Sequence, residues 1–318
     1  MTATSTPSGR LTGVGATGAP GAGGRLVDEV RLGLRSEDSA LARFERLVEI
    51  VGGLDSCVLA LSGGIDSSFL LVVGSRLLGS RCLAVTADSA ALPAWDRASA
   101  QAAGTSAATD GAAWRVVPTR ELDDPRYAMN PRSRCYFCKA EVYGTLDRIA
   151  RSEGYAWVVD GTNATDLTAT DRPGVAAAAE LAVRSPLAEA GLTKDDIRRL
   201  ARALAMPDPD RPASACLSSR IPHGVRITPE RLRRVESAEL DIRALGFGQV
   251  RVRDLGDRAR VEVEAGELDR LRAASVVVGA AIRSAGFDGW FAAAYAGGGA
   301  GDAADVGARP RPGAGGGG

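Results

Sequence analysis

The sequence is poor in histidine, with His223 as its single one in 318 residues. Histidine is the side chain that titrates near neutral pH and a frequent ligand of zinc. One imidazole excludes a catalytic site built on two histidines and a zinc centre that needs a pair of them. The groups that carry chemistry in this chain must therefore be sought among other residue types.

Cysteine is scarce as well. The chain has five cysteines, an odd number and too few for a disulfide framework, so we expect reduced thiols. The first residues show no basic segment followed by an apolar stretch, which argues against a secretory signal. These features together predict a cytoplasmic protein.

The sequence also lacks an excess of charge of either sign. Its 39 lysines and arginines are balanced by 39 aspartates and glutamates, so a general attraction to nucleic acid or to an anionic membrane is not indicated. No uninterrupted apolar run approaches the roughly 20 residues that cross a bilayer. We expect neither nucleic acid nor membrane among the partners.

The pattern along the chain divides it into tails and two domains. Residues 1–24 and 297–318 are rich in small residues and are predicted to be disordered. Over residues 25–222 short apolar strands alternate with helical stretches, which predicts an α/β fold with a parallel sheet covered by helices. A long helix and two strands of alternating character predict a smaller α+β domain over residues 223–296.

A short loop between a strand and a helix is the strongest local signal. The apolar strand ends at Leu61, and Ser62–Ser68 reads Ser-Gly-Gly-Ile-Asp-Ser-Ser. Glycines let the backbone curl, and the helix N-terminus directs N–H groups at a phosphate. The alternative is a Gly-Gly turn that merely caps a buried helix. The residues expected to contact a nucleotide are Ser62, Gly63, Gly64, Asp66, Ser67 and Ser68.

The loop lacks the lysine of a Walker A motif and resembles the PP-loop signature SGGxDS. Enzymes with that signature carry it on a Rossmann-like sheet and cleave ATP to AMP and pyrophosphate. The resemblance implies that ATP adenylates a carbonyl or carboxyl oxygen and that Asp66 holds Mg²⁺ or orients pyrophosphate. Ala87, Asp88 and Ser89 end the next strand, where this superfamily contacts adenine and ribose; an ordinary strand-to-loop turn is the alternative.

Three cysteines form a candidate metal site. Cys135 and Cys138 are three residues apart at a helix start, and Cys216 supplies a third thiol. The spacing fits a [4Fe–4S] cluster with one iron open, a zinc ion with a further ligand, or a redox dithiol. Cys57 and Cys82 lie in or beside apolar strands and are predicted to be core residues.

Several motifs in a fixed order resemble the LarE family. They are Asp160–Asn163 with Asp166, then Asp171–Gly174, Arg184–Leu187 and Ser214–Gly224. The resemblance extends from about residue 40 to residue 295. LarE proteins insert sulfur during synthesis of the nickel-pincer nucleotide cofactor of lactate racemase.

The resemblance implies a reaction and a branch of the family. ATP would adenylate a carboxylate of pyridinium-3,5-biscarboxylic acid mononucleotide, and sulfur would displace AMP to leave a thiocarboxylate. One branch sacrifices a cysteine sulfur, at a position where this chain has Ala215; a sacrificed Cys216, at the neighbouring position, is the alternative sulfur source. Another branch holds a [4Fe–4S] cluster that relays sulfide, and Cys135, Cys138 and Cys216 match its three cysteines. The family forms homo-oligomers, so we expect one here.

Side-chain chemistry, together with the resemblance, indicates further site residues. Arg251 and Arg253 alternate on a strand, so both guanidinium groups would project from one face and clamp a substrate phosphate. A solvated sheet face studded with charges is the alternative. The other residues assigned this way are Gly161 and Asn163 at the nucleotide, Ser219 and Arg220 as catalytic neighbours of Cys216, Glu239 and Glu262 near the substrate phosphate or a metal, and Arg172 and Arg184 at phosphates.

Other functions are compatible with the loop alone. A tRNA thiolase would also use three cysteines and a cluster, but the chain shows neither a basic balance nor an RNA-binding motif. Amide-forming relatives have no need of the cysteines. A non-catalytic sensor would bind ATP on the same fold without cleaving it.

Overall fold

A computed structural model describes residues 21–34, 39–168, 173–212 and 214–295 of the chain. The tail predicted over residues 297–318 lies outside these ranges. Most of the tail predicted over residues 1–24 also lies outside them, but the first helix begins at Ala22, within that range.

The described residues form thirteen α-helices. They are α1 (Ala22–Gly33), α2 (Ser39–Gly52), α3 (Ile65–Leu78), α4 (Ala94–Ala107), α5 (Pro125–Ala128), α6 (Arg134–Glu153), α7 (Ala164–Leu167), α8 (Pro173–Glu180), α9 (Pro186–Glu189), α10 (Lys194–Ala203), α11 (Pro229–Ala244), α12 (Leu268–Ala273) and α13 (Ser275–Ser284).

Seven strands form two sheets within the same residues. They are β1 (Cys57–Ala60), β2 (Cys82–Asp88), β3 (Ala113–Pro118), β4 (Trp157–Val159), β5 (Val250–Asp254), β6 (Arg258–Val263) and β7 (Gly289–Ala294). The first sheet has the order β3-β2-β1-β4 and is parallel throughout. In the second, β5 is antiparallel and β7 is parallel to β6.

The parallel sheet is covered on both faces, as its apolar strands predict. On one side Leu59 packs in a core cluster with residues of α1, α2, α3 and α10, including Phe44 and Phe69. On the other side Val58 and Leu83 pack against Leu146 of α6. The α/β prediction is confirmed, and the sheet's carboxyl edge is left for the loops that follow the strands.

The second sheet belongs to a separate core cluster that also takes residues from earlier in the chain. Val252 and Val261 pack there with α11 and α13. Tyr127, Leu217 and Ile221 belong to the same cluster although they precede residue 223. Strand β7 was not predicted; its alanine-rich sequence is weakly β-forming, and it exists through its pairing with β6.

Two helices begin earlier than the sequence pattern predicts. Helix α3 begins at Ile65 instead of Ser68, so Asp66 lies in its first turn. Helix α6 begins at Arg134 instead of Lys139, which places Cys135 and Cys138 within the helix. Among the described residues, no helix combines the length and the apolar character that crossing a membrane requires.

Candidate functional site

Three segments predicted to bind the nucleotide follow three adjacent strands. Ser62–Ser68 follows β1, Ala87–Ser89 spans the end of β2 and the residue after it, and Asp160–Asn163 follows β4. Strands β2, β1 and β4 are parallel neighbours, so the three segments emerge at one edge of the sheet. Crevices at this edge are the usual ligand sites of open α/β sheets.

The loop after β1 is held by its own hydroxyls. The Ser67 hydroxyl lies 3.1 Å from the Ser62 hydroxyl, accepts a bond from the Ser62 N–H at 3.3 Å and donates to the Gly64 carbonyl at 3.2 Å. Gly63 has a φ of +80°, and a Cβ there would lie 2.0 Å from the Asp96 carbonyl oxygen. The loop therefore requires glycine at this position for both its conformation and its space.

We expect Gly63→Ala to lower the free energy of unfolding by at least about 1–2 kcal/mol, the cost of a left-handed conformation in a non-glycine residue, and to weaken ATP binding. Gly64→Ala is the matched control, because Gly64 has a φ of −73° and the nearest atom to its added Cβ is the Ser62 hydroxyl at 3.5 Å. Thermal denaturation of both variants measures the difference. Equal melting temperatures would contradict the requirement at Gly63.

Asp66 faces a lysine that sequence reasoning missed. Its Oδ2 forms an ion pair with the ammonium of Lys194, while its Oδ1 is buried without a hydrogen-bond partner among the described residues. Burial raises the pKa of Asp66, and Lys194 opposes part of that rise. Lys194 lies in the first turn of α10, where a cation interacts unfavourably with the helix dipole. This unfavourable position is the signal in the sequence from which a carboxylate partner for Lys194 could have been predicted.

The segment after β4 touches the loop after β1 directly. A Cβ on Gly161 would lie 2.7 Å from the backbone nitrogen of Ser67, so only glycine allows this approach. Asn163 is 1% exposed and caps α7, where its side chain accepts from the backbone of Asp166 at 3.1 Å. Gly161 therefore lies at the predicted site, whereas the side chain of Asn163 is engaged in shaping the segment.

The polar side chains at the end of β2 are engaged with other residues of the protein. Asp88 forms an ion pair with Arg97, and the buried hydroxyl of Ser89 donates to the carboxylate of Glu121. Ala87 accepts the Ser89 N–H at 3.0 Å. Contact with adenine and ribose through this segment stays a prediction.

Arg211 joins the nucleotide loop to the chain that leads to Cys216. Its guanidinium donates to the Gly63 carbonyl at 3.3 Å and forms an ion pair with the buried carboxylate of Asp96. The neighbouring Trp95 indole donates to the Ser214 hydroxyl at 3.3 Å. No motif marked Arg211, because its partners are remote in sequence.

Of the three predicted cluster cysteines, Cys138 on α6 and Cys216 lie close together. Cys138 and Cys216 are partly buried and pack against the core cluster that contains Tyr127, while Cys135 is exposed. Burial, and then the nearby thiol of Cys216, raise the pKa of Cys138 to about 12. Across the described ranges, no three side chains of His, Cys, Asp or Glu are grouped so that they hold a metal ion.

Cys57 and Cys82 are core residues, as predicted. They are register partners on β1 and β2, and their sulfurs are 3.9 Å apart. Their exposed fractions are 1% and 0%. None of the five cysteines forms a disulfide.

Arg220 fastens the Cys216 loop instead of facing the solvent. Its side chain is 0% exposed, and Nε and Nη2 donate to the carboxylate of Glu239 at 2.8 and 3.0 Å. Nη1 donates to the carbonyls of Ala215 and Cys216 at 2.6 and 3.1 Å. Both predicted site residues thus position the backbone on either side of the Cys216 sulfur.

A second arginine holds the far end of the same loop. Arg253 donates from Nη1 to the Ser219 carbonyl at 2.8 Å and from Nε to Glu262 at 3.0 Å. Arg251 is 4% exposed, and its Nη1 donates to the carbonyl of Val250 at 3.2 Å. Burial lowers the pKa of Arg251, and the charge of Arg220 adds to this effect. The predicted phosphate clamp is therefore buried in protein contacts.

Another predicted phosphate ligand, Arg184, has its contacts beside β4. Arg184 pairs with Glu189 and stacks 5.1 Å from the ring centroid of Trp157. Its backbone N–H donates to Val158 at the outer side of β4. Arg172 lies outside the described residues.

Comparisons with known proteins identify relatives over most of this chain. No family model matches. A pyridinium-3,5-bisthiocarboxylic acid mononucleotide synthase of Lactiplantibacillus plantarum is 34% identical over 220 residues, 68% of this chain and 78% of the relative. The chain belongs to the LarE family. An uncharacterized Synechocystis protein is 43% identical over 222 residues, 70% of this chain and 81% of its own length.

A more distant relative widens the relationship beyond LarE. A probable tRNA sulfurtransferase of Methanothermobacter thermautotrophicus is 27% identical over 209 residues, 61% of this chain and 52% of the relative. The tRNA sulfurtransferase is named for sulfur transfer, and the Lactiplantibacillus plantarum synthase is named for a sulfur-containing product. This LarE-family chain is accordingly an enzyme that transfers sulfur, and the family relationship implies that it uses ATP.

Proposed function

We propose that this enzyme adenylates a carboxylate of pyridinium-3,5-biscarboxylic acid mononucleotide and then replaces AMP by sulfur. The observation that carries the proposal is the connection between the two loops. Arg211 contacts Gly63 of the nucleotide loop, and Trp95 contacts Ser214, two residues before Cys216. An acyl adenylate formed at the first loop would therefore lie close to the second.

The first half-reaction needs groups that hold pyrophosphate as it leaves. A carboxylate oxygen of the acceptor attacks the α-phosphorus of ATP, and the bond from that phosphorus to the bridging oxygen of the β-phosphate breaks. The loop N–H groups at the start of α3 are suited to the released anion. Lys194 beside Asp66 adds a cation at the same place.

Asp66 also has the chemistry of a magnesium ligand. Its buried Oδ1, without a partner among the described residues, is the kind of oxygen that Mg²⁺ binds together with phosphate oxygens. When bound there, Mg²⁺ would offset charge on the phosphates. The Mg²⁺ ligated by Asp66 and the ammonium of Lys194 would then each offset part of the phosphate charge.

The second half-reaction replaces oxygen by sulfur. A hydrosulfide sulfur attacks the carbonyl carbon, the bond from that carbon to the AMP oxygen breaks, and AMP leaves with that oxygen. The sulfur loses its proton, and the acceptor becomes a thiocarboxylate. The carbonyls fixed by Arg220 hold Cys216 at the place where the sulfur must arrive.

The three thiols are donors of the type that iron–sulfur clusters use. We assign Cys135, Cys138 and Cys216 as the ligands of a [4Fe–4S] cluster, which when bound would supply an iron that accepts exogenous sulfide. The thiols of Cys138 and Cys216 are close enough to interact electrostatically, and the exposed Cys135 opens the group to solvent. The family relationship also supports a homo-oligomer.

The test is incubation with ATP, Mg²⁺ and the pyridinium substrate. We expect an AMP–acceptor adduct and pyrophosphate, and we expect Asp66→Asn and Lys194→Met each to slow their formation by about a hundredfold, as for loss of one electrostatic stabiliser. Asp269→Asn is the control, because its side chain is 95% exposed on α12. Tight binding of ATP that stays intact would instead identify a sensor.

A tRNA thiolase is the second candidate. It is favoured by the similarity to the probable tRNA sulfurtransferase, although this chain covers 52% of that protein. Labelled sulfide supplied with ATP and either tRNA or the mononucleotide separates the two. Label in tRNA alone would overturn the proposed substrate.

A further inference from the structure

A buried carboxylate joins two of the motifs by which the sequence resembles LarE. Asp160 begins the first of these motifs directly after β4, and it is 2% exposed. Ser185, in the second motif, donates its hydroxyl to Oδ1 of Asp160 at 2.7 Å, and the Asp160 N–H donates to the Arg184 carbonyl at 3.0 Å. The reaction proposed above uses neither the carboxylate of Asp160 nor the hydroxyl of Ser185.

A phenol from a third element binds the same carboxylate. Tyr143 of α6 donates its hydroxyl to Oδ2 of Asp160. Tyr143 is 1% exposed, and burial raises its pKa, so the phenol keeps its proton and remains a donor. Thr162 adds its N–H to Oδ1 at 3.0 Å and its hydroxyl to Oδ2 at 2.7 Å. From the described residues alone, each oxygen of Asp160 therefore accepts two hydrogen bonds.

These bonds determine where the chain runs after β4. The next residue is Gly161, and a Cβ added there would lie 2.7 Å from the backbone nitrogen of Ser67. Backbone meets backbone at this contact without an intervening side chain, so little displacement is tolerated. The first turn of α3, whose N–H groups are suited to a phosphate, is therefore packed against a segment that Asp160 holds in place.

Helix α6 brings the cysteine site into the same arrangement. Cys135 and Cys138 lie near the start of the helix, and Tyr143 follows them. Leu146 of α6 packs in the core against the parallel sheet, and such apolar packing has no fixed direction. The bond from Tyr143 to Asp160 is directional and fixes the helix relative to the end of β4.

We propose that Tyr143 is a positioning residue for ATP binding, because through Asp160 it holds the Gly161 segment against the nucleotide loop. The inference rests on the proposed function, which places ATP at that loop. Tyr143 would not touch the nucleotide itself. Ser185 acts through the same carboxylate, so its loss should weaken ATP binding as well.

The test is calorimetric titration of the full-length protein with ATP and Mg²⁺ without an acceptor, so that no adduct forms. We expect Tyr143→Phe to raise the Kd for ATP by about tenfold, the lower end of the range for loss of a hydrogen bond to a charged group. In the adenylation assay this variant should raise the KM for ATP and leave kcat nearly unchanged, which indicates lost binding of the ground state and the transition state alike.

Controls on the same helix and the same carboxylate make the result specific. Tyr136→Phe is the matched control, because Tyr136 also lies on α6 but donates to Glu180 at the surface. Its Kd for ATP should stay at the wild-type value. Ser185→Ala should raise the Kd for ATP, and Ser185→Thr, which keeps a hydroxyl, should restore it.

A merely structural role would lower the melting temperature of Tyr143→Phe and leave its Kd for ATP unchanged, and that result would overturn the inference. An equal rise in Kd for Tyr136→Phe would overturn it too. If Tyr143→Phe is unfolded by circular dichroism, the two Ser185 variants decide the question. Absence of ATP binding by the wild type would overturn both proposals. Failure of the proposed function alone appears as absence of the AMP adduct in a wild-type protein that binds ATP.

Discussion

Glu239→Ala is expected to lower the free energy of unfolding by about 3–5 kcal/mol, because it leaves the guanidinium of Arg220 buried without its counter-charge. Both side chains are 0% exposed, so water cannot replace the lost carboxylate. Glu239 also accepts the Val252 N–H at 2.9 Å, and that donor would be left unsatisfied too. Chemical denaturation followed by circular dichroism measures the change.

Matched variants distinguish the loss of stability caused by breaking the buried Arg220–Glu239 pair from the loss caused by removing any one carboxylate. Glu230→Ala removes an exposed carboxylate from the same helix, and we expect a change of less than about 1 kcal/mol. The double variant Arg220→Met/Glu239→Leu should recover much of the stability, because apolar residues of similar volume remove the unpaired charge. It should not recover sulfur transfer, since the carbonyls of Ala215 and Cys216 lose their donor. Equal stabilities of Glu239→Ala and Glu230→Ala would contradict this account.

Replacing any one of Cys135, Cys138 and Cys216 by serine is expected to abolish sulfur transfer while adenylation continues. Anaerobically purified wild-type protein should be brown and carry about four irons per chain, the content of one cubane cluster. Cys135→Ser should lose that iron, because a cluster that binds three protein thiolates is left with two. Iron analysis and the visible spectrum measure binding without reference to activity.

Two results would contradict the cluster. The first is a colourless wild-type protein after anaerobic reconstitution that loses the mass of one sulfur at each turnover, which would make Cys216 a sacrificial donor. The second is a Cys135→Ser variant whose rate of sulfur transfer is nearly that of the wild type. Cys82→Ala is the matched control, because Cys82 is 0% exposed on β2 and packs in the core instead of the cysteine site.

Features of the structure that are determined by residues adjacent in sequence could be predicted. The Ser62–Ser68 loop needs a strand before it, glycine at Gly63 and a helix after it, and all of these are local properties. The apolar run of β1 likewise predicts a strand buried on both faces. The predicted nucleotide site rests on such signals together with the rule for parallel strands.

The parts that depend on distant pairing could not be predicted. Lys194 and Asp66 are 128 positions apart, and nothing in either segment identifies the other. Arg220 and Glu239 were selected by family resemblance, yet the pattern could not show that they neutralise each other. Their pairing is created by the packing of the Leu217–Arg220 turn against α11. The early start of α6 has a similar cause, since Cys138 packs on a core cluster formed mostly by later residues.

The core cluster that encloses Leu217 and Ile221 determines which segments of the chain can be exchanged together in evolution. By position these residues end the domain predicted over residues 25–222, but they pack with α11, β5 and β6. A recombination that exchanged only residues after 223 would separate the cysteine loop and Arg220 from Glu239 and Arg253, which bind them. The second sheet with α11 and the Cys216 loop are therefore expected to evolve together, whatever sequence precedes them.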